Sequence, residues 1–133
     1  MTPEEALKKH KKIAVIGYSD KGIRPSKKIA QYMAEHGYTV YGVNPRLQGE
    51  CIGEIDCYTS IKDIPDEVEI IDVFRRSDAV HDLVKEVLEL PYKPKVIWTQ
   101  IGVFNEDAKK LAEENGIDYI ENKCIYVEHD KMS

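Results

Sequence analysis

The chain has 133 residues, 42% hydrophobic and 32% charged, with a formal net charge of −5 at pH 7. That size fits one domain over residues 1–133 with a real core and no room for a separate catalytic domain, and the acidic excess argues against nucleic acid as a partner, because phosphate-backbone binding rests on a broad basic face. No apolar run approaches the roughly 20 residues that cross a bilayer, and MTPEEALKKHKK lacks the apolar region of a signal peptide, so the expectation is a cytoplasmic protein without a membrane partner.

In chain order, Thr2-Pro-Glu-Glu5 has the form of a capping box with proline at the first helical position, which predicts a short N-terminal helix within residues 1–11. An apolar strand follows at Ile13–Gly17. A helix from Pro25 to His36 ends at Gly37, and a second strand runs over Thr39–Val43. Pro45 to Pro65 reads as irregular, with Gly49 and Gly53 framing a short extended piece and Ser60-Ile-Lys-Asp-Ile offering about one helical turn. A third strand is expected at Val68–Phe74. Behind a Ser77 N-cap, Val80, Leu83, Val84, Val87 and Leu88 recur at helical spacing. A fourth strand is read at Lys95–Gln100. The next helix is capped by Asn105 and closed by Gly116, with Ala108, Leu111 and Ala112 on one side, and a fifth strand covers Ile117–Glu121. The strands are apolar without strict alternation, as strands covered on both faces are. The expectation is an α/β, doubly wound domain of about five parallel strands in the order 3-2-1-4-5, with helices on both faces and ligands at the carboxyl ends of the strands.

The loops leaving that edge carry unusual chemistry for an acidic chain. After the first strand come Gly17, Tyr18, Ser19, Lys21, Gly22, Arg24, Pro25 and Ser26; after the second, Val43 gives way to Asn44, Pro45 and Arg46; after the third stand Phe74, Arg75, Arg76 and Ser77; after the fourth, Gln100 and Gly102. Backbone N–H groups at a helix N-terminus, joined by basic side chains, favour a phosphate. Taken singly, the glycines read equally as turn residues and Asn44-Pro45 as a strand stop. Arg75-Arg76 is less easily dismissed, because cations are disfavoured at the positive end of a helix unless an anion is bound there.

A dinucleotide site would need G-x-G-x-x-G after the first strand and an acidic residue at the end of the second. The turn is instead Gly17-Tyr-Ser-Asp-Lys-Gly22, and the second strand ends in Val43-Asn44-Pro45. Nor does Gly-Lys-Ser/Thr follow at the spacing of a Walker A loop.

These pieces resemble the small stand-alone CoA-binding proteins, similar to the Rossmann-like CoA-binding domain of succinyl-CoA synthetase. The carriers are IAVIGYSDKGIRPS, GYTVYGVNP (Gly37–Pro45), IDVFRRSDAV (Ile71–Val80), VIWTQIGVFNEDA (Val96–Ala108) and the segment from Lys123 to His129. The resemblance implies a module that binds coenzyme A or an acyl-CoA and has no evident catalytic machinery of its own. It implies that Gly17, Ser19, Arg24 and Ser26 hold phosphate and that Val43-Asn44-Pro45 runs along the nucleotide. Phe74, Arg75 and Arg76 then flank adenine or phosphate, and Gln100-Ile101-Gly102 the pantetheine arm. A ribose 3′-phosphate also explains the missing acid, which would repel it. The alternative class is a small NAD(P)- or flavin-nucleotide-dependent oxidoreductase; a homo-oligomer or a separate protein partner stays open.

Catalytic candidates are few. Cys124 and His129 suggest a nucleophile pair, although Cys51, Cys57 and Cys124, odd in number and without metal-ligand spacing, are expected as free thiols. His10, His36 and His81 fall on helices or helix ends and read as solvated or capping groups. Asp72, inside the third strand, reads as a hydrogen-bonded structural carboxylate. Trp98 and Tyr41 are expected to pack between sheet and helices. No spacing of Asp, Glu and His makes a metal site.

Overall fold

The computed structural model describes residues 1–18, 25–46 and 55–132. Six parallel strands form one sheet: β1 Lys12–Ile16, β2 Thr39–Val43, β3 Asp56–Tyr58, β4 Ile70–Val73, β5 Val96–Thr99 and β6 Asp118–Ile120, in the order β3-β2-β1-β4-β5-β6. The expected 3-2-1-4-5 order is present as the first five, counted along the chain. The third of them, however, is the short piece Asp56–Tyr58 from the stretch read as irregular, so each later strand moves up one place. The Val68–Phe74 run therefore lies beside β1, with Val15 opposite Asp72, instead of at the sheet edge.

The helices are α1 Pro3–Lys9, α2 Pro25–Glu35, α3 Val80–Leu88, α4 Glu106–Glu114 and α5 Ile125–Asp130. Alternate residues of each strand face opposite layers. Ile13, Val15, Ile70, Val96, Trp98 and Ile120 pack against Ala6 and Leu7 of α1, Ala30 and Met33 of α2 and Ile125 of α5. Ala14, Ile16, Val43, Ile71, Val73 and Ile97 pack against α3 and α4. The α3 stripe of Val80, Leu83, Val84 and Val87 is buried there as its spacing requires, at roughly 1.5–3 kcal/mol per side chain relative to exposure.

Local chemistry sets the element ends. Thr2 and Glu5 form the reciprocal capping box of α1, and the Asn105 carboxamide accepts from Ala108 N at 2.9 Å to start α4. The cap read at Ser77 is a correction: Ser77 opens a 3-10 turn, Ser77–Ala79, that leads into α3. Its hydroxyl accepts from Phe104 N at 2.9 Å and reaches the Gly102 carbonyl at 3.5 Å, tying the loop after β4 to the loop after β5. The cysteines also differ from expectation. Cys124 is a free thiol, whereas Cys57 is disulfide-bonded; Cys51 lies outside the described residues. Odd number and irregular spacing argue against a disulfide framework, but they do not forbid one bond between residues that the fold brings together.

Candidate functional site

The exits of β1, β2 and β4 meet at the carboxyl edge. Gly17, at φ +87°, donates its N–H to the Val43 carbonyl at 2.8 Å, and Tyr18 N approaches the same oxygen at 3.2 Å. Phe74 N bonds the Ile16 carbonyl at 2.8 Å. A Cβ on Gly17 would stand 2.3 Å from the Phe74 carbonyl oxygen, so only glycine lets the two backbones pass this closely. Asn44 does more than stop a strand. Its Nδ2 donates to the Tyr18 carbonyl at 2.8 Å and its Oδ1 accepts from Arg46 N at 3.0 Å, which locks the turn after β1 to the turn after β2.

Between these turns lies a cleft of about 590 Å³ lined by Gly17, Asn44, Pro45, Arg46, Phe74, Arg75, Arg76 and Ala79. Among the described residues three arginines and no carboxylate line it, in a chain of net charge −5. Arg75 Nε is buried and has no hydrogen-bond partner among the described residues. A buried charged donor without an acceptor is costly, on the order of 1–3 kcal/mol. Arg76 is mostly exposed and meets Asp78 only at 3.5 Å. Among the described residues no acidic side chain stands at the end of β2, which runs into Asn44.

Of the residues singled out in the sequence, Gly17, Asn44, Pro45, Phe74, Arg75 and Arg76 meet in this cleft. Tyr18 is 1% exposed, with its ring under Gly42, and its carbonyl accepts from Asn44 at the edge. Val43 and Ser26 are buried and Pro25 is exposed at the start of α2. Ser19, Lys21 and Arg24 lie outside the described residues. Gln100 and Gly102 leave β5 further along the same edge. Gln100 N bonds the Val73 carbonyl at 3.3 Å, and Gly102 N donates to Asn122 Oδ1 at 2.8 Å.

Two lining residues stood outside the sequence reading of the ligand contacts. Arg46 follows Asn44-Pro45 directly and its basic charge was the available signal; Ala79 carries no chemical signal at all. The loop after β5 is held by Ser77, Asn105 and Asn122 together: Asn105 Nδ2 donates to the Ser77 carbonyl at 2.8 Å, and Asn122 N to Thr99 Oγ1 at 3.2 Å. Asn122 sits at φ +59°, a backbone region that asparagine tolerates, and that was the only local hint.

The catalytic candidates separate. His129 Nδ1 is hydrogen-bonded to the Tyr32 hydroxyl at 2.9 Å, which directs its ring to α2. His10 pairs with Glu69 at 2.9 Å, and His36 stacks on Tyr32 with ring centroids 4.0 Å apart. Trp98 is fully buried and donates to the Lys123 carbonyl at 2.8 Å. Tyr41 donates to Asp66 at 3.0 Å, and burial, with that carboxylate, pushes its phenol up to about 12. Among the described residues no group of three or more His, Cys, Asp or Glu side chains is placed to hold a metal ion, and no helix is long and apolar enough to cross a membrane.

Fold and site together define a Rossmann-like α/β domain with a basic cleft at the carboxyl edge of a parallel sheet. Residues 11–130 match the family model of a CoA binding domain, and the chain belongs to that family. It is 36% identical over 126 residues to the Uncharacterized protein YneT of Bacillus subtilis (strain 168), covering 95% of this chain and 90% of that one. It is also 33% identical over 105 residues to Acetate--CoA ligase [ADP-forming] II of Archaeoglobus fulgidus, covering 77% of this chain but 15% of the ligase. A solved structure from Thermus thermophilus superposes with a TM-score of 0.91 at 35% identity, each chain covered over 100% of its length.

Proposed function

We propose that the cleft binds coenzyme A or an acyl-CoA and that the chain is a binding module, not a catalyst. The observation that carries this reading is Arg75 Nε, unpartnered among the described residues, in a cleft where those residues supply two further arginines and no acid. A ligand with a pyrophosphate and a ribose 3′-phosphate supplies acceptors for these donors. Membership of a CoA binding domain family selects that ligand among phosphate-bearing cofactors. No observation favours the oxidoreductase alternative.

Thermal-shift titration with CoA, dephospho-CoA, NAD, NADP and FMN tests the reading, because only a ligand of the folded state raises the melting temperature. CoA should stabilise the protein, with dephospho-CoA weaker. Stabilisation by NAD and not by CoA would overturn it.

A further inference from the structure

We propose that Asp72 is a positioning residue of this site: its buried carboxyl fixes the Gln100 carboxamide at the carboxyl end of β5, so that ligand affinity is coupled to whether Asp72 carries a proton. The inference rests on the reading of this edge as a CoA site.

The geometry comes from register. Asp72 lies in β4 between Val15 of β1 and Trp98 of β5, and Gln100 is two residues beyond Trp98 on the same face. Gln100 Nε2 donates to Asp72 Oδ1 at 2.5 Å. Asp72 is 0% exposed and Gln100 7%, so the amide just past the end of β5 is held by a group that solvent cannot reach. Asp72 Oδ2 is buried without a hydrogen-bond partner among the described residues.

Burial pushes Asp72 up to about 8, against the opposing hydrogen bond from Gln100, so it is a neutral acid at pH 7. The same layer holds the phenols of Tyr18, Tyr32 and Tyr38 and, against them, the His129 imidazole. None of these is a cause of the shift, which among the described residues comes from burial and Gln100. Ionisation changes two things at the site. A carboxylate accepts only and holds Gln100 Nε2 at Oδ1, whereas a neutral acid can also donate a hydrogen bond. It also places a full negative charge in a low-dielectric interior beneath an edge that receives a polyanion. The buried charge sets the sign: CoA, itself a polyanion, selects the protonated form.

The test measures CoA affinity by calorimetry at pH 7 and pH 9 for the wild-type protein and Asp72→Asn. A midpoint near 8 predicts that the wild type weakens about tenfold over this interval and that Asp72→Asn loses this dependence; the ligand's own titration is common to both and cancels. Equal pH dependence in the two proteins overturns the inference and leaves the CoA reading standing, whereas no CoA binding to the wild type at either pH overturns the CoA reading itself. Should Asp72→Asn fail to fold, the side-chain amide resonances of Gln100 in the ligand-free wild type decide the matter. They should shift with a midpoint near 8, and resonances unmoved from pH 7 to pH 9 overturn the coupling.

Discussion

Replacing Gly17 by alanine drives a methyl group to 2.3 Å from the Phe74 carbonyl at a φ of +87°, where an L side chain is strained even in open space. The variant should lose about 3 kcal/mol or more, read from urea unfolding, because neither backbone can withdraw without breaking the bond from Phe74 to Ile16. Gly37→Ala, also at positive φ but with nothing within 4 Å of the added Cβ, should lose only about 1 kcal/mol in the same measurement. Arg75→Ala tests the opposite situation, a side chain that the fold does not satisfy. It should weaken CoA by about 1.5–3 kcal/mol in calorimetry, with a melting temperature near that of the wild type, since Nε gives up no hydrogen bond in the free protein. Both positions were legible in the sequence, because a glycine after an apolar strand and an arginine pair at a helix start are each unusual where they stand. The partnership of Asp72 with Gln100 was not legible. Their 28-residue separation becomes one hydrogen bond only when β4 and β5 are known to be neighbours in a particular register.

At the scale of elements, legibility followed length and burial. β1, β4 and β5 are buried on both faces and announce themselves as apolar runs. β3 is three residues long, Asp56 exposed and Cys57 buried, too short to show a period. α5 was hidden for a related reason: of its six residues only Ile125 is fully buried, and Tyr126 and Val127 are exposed. What holds α5 is polar and aromatic contact, the His129 bond to Tyr32 and the edge contact of Tyr126 with the same ring at 4.4 Å. Burial, with His36 and Lys11 nearby, holds the His129 imidazole below its usual value. The unfolded chain therefore takes up a proton at higher pH than the fold does, and this contribution to stability is lost as pH falls below 6.5. Urea midpoints for the wild type and His129→Gln should converge from pH 7 to pH 5; curves that stay parallel would remove the coupling.

For the whole molecule the sign at Asp72 is reversed. Its folded value lies near 8 against 3.8 in the unfolded chain, so the fold binds the extra proton in between and loses stability as pH rises through that window. The stability gap between Asp72→Asn and the wild type should widen by about 2 kcal/mol from pH 6 to pH 8, measured by urea unfolding at both values. A gap that does not change would mean that the carboxyl is already ionised in the fold. The architecture itself was readable because right-handed crossovers and doubly covered strands leave few topologies open. Within the sheet the place of β3 was missed, a matter of three residues that moved the β4 run from the rim to the centre.

The touching backbones of Gly17 and Phe74 also divide the site into parts that can and cannot change. The floor of the cleft is main chain locked against main chain, with no side chain to exchange there. Diversity among ligands must then be written at Arg46, Arg76 and Ala79, whose side chains line the cleft without forming that crossing. A library randomised at these three positions should yield folded proteins with shifted ligand preference, whereas one that includes position 17 should yield mostly unfolded ones.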